Sequence, residues 1–321
     1  MQIGPTEILD TFAEAFRMRY VRLVVTAADE HWLEAALRAV CGYGASVIGC
    51  DAEVGVERRI PPEESPDLRP GAGVLMFGFS TGALSKAAPN RVGQCIMTCP
   101  TTACYDGARD DGAGSDGAAA DGSGESAERI PLGKHLRFFG DGYQKSKKQA
   151  GNRYWRVPVM DGEFLVADSV RVGKGIAGGN IILQAVSQPV ALAAARRASE
   201  AVAAVPGVIA PFPGGVVRSG SKVGSRYKGL VASTNDALCP TARSRVETEL
   251  VDGANCCYEI VMDGTDEEAV TRAMRAALRA AAGEGVLAIG AGNYGGKLGK
   301  FHFRLHEVLC RPFAGFRPSS A

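Results

Sequence analysis

Ile181-Ile-Leu-Gln-Ala-Val-Ser-Gln-Pro-Val-Ala-Leu-Ala-Ala-Ala-Arg-Arg-Ala-Ser-Glu-Ala-Val-Ala-Ala-Val-Pro-Gly-Val-Ile-Ala-Pro-Phe212 decides how this chain folds. Ile181 to Val186 reads as a strand. Ser187 to Val205 is an Ala-rich helix stopped by Pro206-Gly207, and Val208 to Phe212 resumes a strand. Downstream, Cys257 to Met262 is a strand. Thr265-Asp-Glu-Glu268 has capping-box spacing and opens a helix to about Ala282; strands follow at Val286 to Ile289 and Phe301 to Val308. The same order occurs upstream: strand Val21 to Thr26, helix Asp29 to Val40 closed by Gly42, strand Ala45 to Cys50. After a Pro-rich turn at Pro61 to Gly71 come strand Val74 to Phe79, a weak helix Leu84 to Arg91 and strand Gln94 to Cys99. The pattern predicts an α+β protein of two ferredoxin-like α/β sandwich lobes, each a mainly antiparallel sheet covered by helices. The lobes are expected at 1–160 and 161–309, with a tail at 310–321. A doubly wound parallel sheet also fits alternating elements, but the short connections favour antiparallel neighbours.

The 321 residues are 46% hydrophobic and 22% charged, enough for a substantial core, which excludes a disordered chain. The formal charge of +1 excludes a uniformly basic nucleic-acid binder. That average hides two unlike parts. Residues 106–128, within an acidic Asp/Gly/Ala/Ser loop at 105–129, hold seven acids and one base, a local charge of −6, leaving a body of +7. The loop has too little apolar material to offset its ordering entropy and is expected to be flexible. No basic n-region precedes an apolar stretch at Met1 to Asp10, and the Ala/Val-rich segment 190–205 is broken by Arg196, Arg197 and Glu200. A soluble, cytoplasmic protein without membrane or nucleic-acid partners is expected. Nine scattered cysteines without a C-x-x-C pair read as buried thiols rather than a metal site.

Several motifs imitate chemistry. Gly173-Lys-Gly175-Ile-Ala-Gly178 matches a dinucleotide fingerprint after a strand at Phe164 to Val172. However, Asn180-Ile-Ile-Leu continues as strand, where a helix N-terminus would have to face the pyrophosphate. Gly215 to Lys222 and Gly292 to Leu298 both fail as P-loops. His302 and His306, on a strand, would sit about 13 Å apart and cannot share a metal. No Gly-x-Ser-x-Gly elbow is present, so no covalent nucleophile is indicated. Glu259 differs from its neighbours: it lies in Cys256-Cys-Tyr-Glu-Ile-Val-Met262, whose other members belong in a core strand. Either burial keeps it a protonated acid, or it faces water or an Arg from an edge strand.

A set of blocks in fixed order resembles formylmethanofuran:tetrahydromethanopterin formyltransferase from about residue 7 to 309. The blocks are Asp10-Thr-Phe-Ala-Glu-Ala-Phe16, Gln94-Cys-Ile-Met-Thr-Cys-Pro100, Phe138-Phe-Gly-Asp-Gly-Tyr-Gln144, Ala177-Gly-Gly-Asn180 and Pro211-Phe-Pro-Gly-Gly215. They continue with Ser221-Lys-Val-Gly-Ser225, Ser233-Thr-Asn-Asp236, Tyr258-Glu-Ile-Val261 and Gly292-Asn-Tyr-Gly-Gly-Lys-Leu-Gly299. The resemblance implies a homotetrameric (tetramer or dimer of dimers) cytoplasmic enzyme without metal or prosthetic group. It would move a formyl group between methanofuran and N5 of tetrahydromethanopterin. The Ala/Arg-rich helices and near-neutral charge suggest the bacterial branch, which resembles one subunit of a formyltransferase/hydrolase complex in formaldehyde oxidation to formate. The acidic loop and the tail from Cys310 depart from the family pattern.

By that resemblance Glu259 is the acid, donating to the developing oxyanion or the leaving amine. Asp141, Tyr143, Asn180, Ser221, Lys222, Asn235, Asp236, Asn293, Tyr294 and Lys297 are the expected substrate-binding residues, at strand ends or in loops. Lys222 and Lys297 suit the carboxylate-rich tails of the carriers. Two rivals stand: a catalytically inert scaffold subunit of such a complex, and a nicotinamide or flavin oxidoreductase resting on the Gly173 pattern.

Overall fold

The computed structural model describes residues 1–107, 128–149 and 151–311. Most of the acidic loop and all but the first two residues of the 310–321 tail lie outside the described residues. The loop's described ends are ordered: Tyr105 and Asp106 close one strand, and Arg129–Pro131 forms another.

The first lobe runs β1 (Phe12–Thr26), α1 (Glu30–Cys41), β2 (Glu53–Ile60), β3 (Gly71–Gly78), α2 (Thr81–Arg91), β4 (Ala103–Asp106). Its strands lie in the order β4-β1-β3-β2, every neighbour antiparallel. A hairpin of β5 (Asn152–Val159) and β6 (Gly162–Ala167) extends this sheet, with β6 parallel to β4. The second lobe repeats the plan: β7 (Ser169–Ala185), α3 (Gln188–Ala203), the short β8 (Val208–Ile209), β9 (Cys256–Gly264), α4 (Glu267–Ala281) and β10 (Val286–Gly290). Here the order is β10-β7-β9-β8, again antiparallel throughout. Both lobes are therefore ferredoxin-like βαββαβ units, as the repeated pattern implied. The closing β11 (Phe301–Arg304) pairs with β1, and α5 (Leu305–Cys310) follows it.

The lobes share one sheet. The first half of β7 pairs antiparallel with β1, from Val172 against Val21 to Ala177 against Phe16; a bulge between Ile176 and Gly179 then turns β7 into the second lobe. Gly178 sits in that bulge at φ +92, a conformation that strains any residue with a Cβ. Each lobe has its own core under its helices, and Met18, Tyr20, Leu75, Phe77, Ala177 and Ile209 fill the seam. The Gly173-x-Gly175 pair belongs to this seam. A Cβ on Gly173 would stand 2.4 Å from the Tyr20 ring and one on Gly175 2.7 Å from Phe77, so packing selects these glycines.

Five sequence expectations are corrected. Ala45 to Cys50 is a turn, and the second strand is Glu53–Ile60. Its Glu57 is buried because Arg22 donates to it from Nε at 2.8 Å and the Gly207 N–H at 2.9 Å. Gln94 to Cys99 is a wide helical turn, with the Met97 N–H bonded to the Val92 carbonyl, continuing α2. The cap of α4 is Asp266, which accepts from the Ala269 N–H at 2.7 Å, in place of Thr265. Phe301 to Val308 is strand only to Arg304, which places His306 on α5, its Nε2 2.8 Å from the Ile8 carbonyl oxygen. Of the nine cysteines Cys104 is fully buried, seven are half-buried and Cys310 is exposed, so they are not uniformly core thiols. Among the described residues no helix is long and apolar enough to cross a membrane.

Candidate active site

Alternation along β9 sets the site. Tyr258, Ile260 and Met262 enter the core under α3 and α4, so Glu259, Val261 and Asp263 face the other way. Glu259 is 3% exposed. Its backbone is paired on one side with Ile182 of β7 and on the other with Val217, so it is neither on a bare edge nor facing an arginine. Its Oε1 accepts a 2.6 Å hydrogen bond from the Ser221 hydroxyl, and its Oε2 has no partner among the described residues. Burial pushes the carboxyl up to about 7, and the Ser221 bond pulls the other way. Of the two readings the sequence left open, burial prevails.

Ser221 stands between Glu259 and a cleft of about 370 Å³ that runs between the lobes. The cleft's walls come from Val47 and Phe79 of the first lobe and Val261 and Leu298 of the second; Phe16 and Met18 of β1 lie at the seam. Behind Ser221, Glu259 borders a smaller hollow of about 40 Å³ together with Gly220, Asn235 and Cys257. The arrangement offers an apolar slot for planar rings with a titrating acid at one remove, and Ser221 is the polar link between them.

The expected binding residues divide into three groups. Asn180, Ser221 and Tyr294 line the cleft. Asn180 is inside β7 rather than at its end, and its side chain clamps Gly292: Oδ1 accepts from the Gly292 N–H at 2.6 Å, and Nδ2 donates to the Gly292 carbonyl at 3.2 Å. Tyr294 donates its hydroxyl to the Ser221 carbonyl at 2.8 Å. Asn293 donates to Thr11 and to the Phe12 carbonyl, pinning the same loop to β1.

Lys222, Asn235 and Asp236 lie beyond Ser221. Lys222 Nζ donates to Asp236 Oδ1 at 2.6 Å, which holds the Asp236 carboxyl below its usual range. The Lys222 ammonium is thus paired with Asp236 while staying partly exposed. Lys297 is exposed beside Leu298 and makes no ion pair among the described residues.

Asp141 and Tyr143 are exposed on a turn after Arg137–Gly140, which packs on β5. Neither lines the cleft nor the hollow behind it.

Three acids escaped the sequence reading. Glu14 of β1, 1% exposed, accepts the N–H groups of Tyr294 and Gly296 on Oε2 at 2.7 and 2.9 Å, and those of Leu298 and Gly299 on Oε1 at 2.5 Å each. Burial alone would raise its carboxyl, but the four N–H donors outweigh it and hold the group below the usual range. Glu53 and Asp263 meet across the lobes. Asp263 Oδ1 accepts from the Gly178 N–H at 3.1 Å and Glu53 Oε1 from the Val47 N–H at 3.1 Å. Burial, and then the charge of Glu53, drives Asp263 well up; burial likewise raises Glu53. Two such carboxyls cannot both ionise cheaply. Only the unusual Phe12-Ala-Glu-Ala-Phe16 block, a carboxylate among apolar strand residues, carried a signal for any of the three.

Paired βαββαβ lobes with a buried acid behind a mostly apolar interlobe cleft define a two-lobed α+β protein whose cleft has the make-up of an active site. The chain belongs to the formylmethanofuran–tetrahydromethanopterin formyltransferase family: residues 1–159 match the model of that name and residues 162–308 the model of the formyltransferase proximal lobe. A formylmethanofuran–tetrahydromethanopterin formyltransferase from Methylobacillus flagellatus is 50% identical over 96% of this chain and 100% of the relative. The structure is similar to a chain of the formyltransferase/hydrolase complex from Methylorubrum extorquens, solved with methylofuran, at TM-score 0.88, 43% identity and coverage of 97% of this chain and 99% of that one. It is also similar to the formylmethanofuran:tetrahydromethanopterin formyltransferase of Methanosarcina barkeri, at TM-score 0.85, 42% identity and coverage of 96% and 100%.

Proposed function

We infer that this chain transfers a formyl group between methanofuran, or an analogue, and N5 of tetrahydromethanopterin, directly and in a ternary complex. The observation that carries the mechanism is the buried Glu259, pushed to about 7 and hydrogen-bonded toward the cleft through Ser221. Written from methanofuran to the pterin, the N5 amine attacks the formyl carbon, a C–N bond forms, and the carbonyl oxygen gains charge; the reverse transfer retraces these steps. The C–N bond to methanofuran then breaks, and the departing nitrogen takes up a proton in place of the one N5 loses. Atoms and charge balance with no enzyme nucleophile. Protonated Glu259 acts through the Ser221 hydroxyl, which gives its own hydrogen bond or proton to the oxyanion or the leaving amine and takes the Glu259 proton in exchange. The two bound carriers supply most of the acceleration by proximity.

The reading extends to setting. We assign the chain to formaldehyde-derived one-carbon oxidation in the cytoplasm, as a homo-oligomer, tetramer or dimer of dimers, that meets hydrolase-complex subunits. The moderately basic body and the exposed Lys297, which has no ion pair among the described residues, favour capture of carboxylate-bearing carriers, more so at low salt. The test is formyl exchange by the isolated chain between the two carriers, which a scaffold subunit would not support. Glu259→Gln should keep the fold and lose most turnover; near-normal turnover by that variant sinks the assignment of the acid.

A further inference from the structure

The glycine-rich block Gly292-Asn-Tyr-Gly-Gly-Lys-Leu-Gly299 looks like an anion cradle. Gly295 and Gly296 adopt left-handed φ of +69 and +73, and with their neighbours they turn four backbone N–H groups toward one point. Such convergent N–H groups are how proteins hold phosphate and other anions. Here the point is already taken by the Glu14 carboxylate. The loop is therefore not a ligand cradle but a part gripped from inside, and what it presents to the cleft is Tyr294, with Leu298 beside it.

The bonds continue outward in one line. Glu14 Oε2 holds the Tyr294 N–H at 2.7 Å; the Tyr294 hydroxyl donates to the Ser221 carbonyl at 2.8 Å; the Ser221 hydroxyl donates to Glu259 Oε1 at 2.6 Å. Around Ser221 the chain is irregular, shaped by the two-residue pairing of Lys222–Val223 with Ala232–Ser233 and by the Lys222–Asp236 ion pair. The Tyr294 hydroxyl adds an anchor from a separate loop, at the Ser221 carbonyl itself. We propose that Glu14 is a positioning residue for formyl transfer: by filling the nest it sets Tyr294, and Tyr294 sets the Ser221 hydroxyl that links Glu259 to the cleft. This rests on Glu259 being the acid, and the test separates the two.

Glu14→Gln keeps the shape but presents an NH2 group to two of the four N–H donors, so half of the nest is repelled. Purified full-length variants are compared in single-turnover formyl transfer, with melting curves confirming the fold. Glu14→Gln should slow transfer by about 10- to 100-fold, the scale of a misplacement near 1 Å. In a Tyr294→Phe background, where the line is already cut, the same change should cost less than about threefold more. Equal losses in both backgrounds, or a folded Glu14→Gln at the parental rate, overturn the positioning role. A fast Glu259→Gln overturns the acid assignment instead, whatever Glu14 does. If Glu14→Gln does not fold, Gly299→Ala replaces it: its Cβ would lie 2.7 Å from Glu14 Cγ and 2.5 Å from the Ala15 carbonyl, pushing the loop off the carboxylate. It must show the same dependence on Tyr294.

Discussion

Removing the hydroxyl of Ser221 should raise the pH at which the enzyme fails. In Ser221→Ala the carboxylate of Glu259 loses its only side-chain donor among the described residues, a bond whose 2.6 Å length is typical of a charge-assisted contact. Such a bond to an ionised group contributes about 1.5–3 kcal/mol, equivalent to about 1–2 pH units. The bond favours the ionised form, so its loss moves Glu259 from about 7 to about 8–9. If the working form is protonated, the alkaline limb of kcat/KM shifts upward by the same 1–2 units, while the plateau falls because the link to the cleft is gone. Stability follows the same sign. A carboxyl whose folded pKa lies above its unfolded value of about 4.3 loses stability as pH rises between the two. On this account Ser221→Ala costs nothing extra below pH ~7 and about 1.5–3 kcal/mol above pH ~9. Rate profiles from pH 5.5 to 9.5, with urea melts at both ends, check both statements. An alkaline limb that stays put or moves down refutes the reasoning.

Two other perturbations test the seam between the lobes. Because Glu53 and Asp263 are both raised, the parent should lose stability as pH rises from the unfolded carboxylate range; Asp263→Asn removes one titrating member and flattens that loss. Chemical denaturation at pH 5.5 and 8.5 should find the variant gaining on the parent at the higher pH, and a parallel slope would contradict the raised carboxyls. Gly173→Ala drives a methyl against the Tyr20 ring, an overpacking that should cost about 1–3 kcal/mol in thermal melts; a change under about 0.5 kcal/mol would show that the seam yields.

The repeated strand-helix-strand order was legible because its helices carry local stop and start signals: Asp29 before Glu30–Cys41, Pro206-Gly207 after the Ala-rich helix, acids at the start of the helix that ends at Ala281. The second strand of the first lobe was not, because Glu53, Glu57 and Arg58 read as solvated charge, and it takes Arg22 and Gly207, distant in the chain, to bury Glu57. Likewise Val92 and Ile96, four apart and both buried, follow a helical repeat that the apolar run around them obscured. Glu259 could be singled out because a carboxylate in a core strand violates the pattern. Glu14 lies in a comparable setting, yet its meaning depends on four N–H groups some 280 residues away. A turn such as Gly140-Asp141-Gly142-Tyr143 is polar and glycine-rich wherever it sits, so its distance from the cleft could not be read.

The continuous ladder between Phe16–Val21 and Val172–Ala177 has a mechanical consequence. Clamshell enzymes shut their two halves over a substrate about a flexible neck; here the neck would be a paired β-ribbon with Tyr20 and Phe77 wedged beside it. Swinging the halves apart would strip that ribbon of its bonds. Closing the slot by that swing is accordingly disfavoured, and displacing water from it falls to whatever fills it.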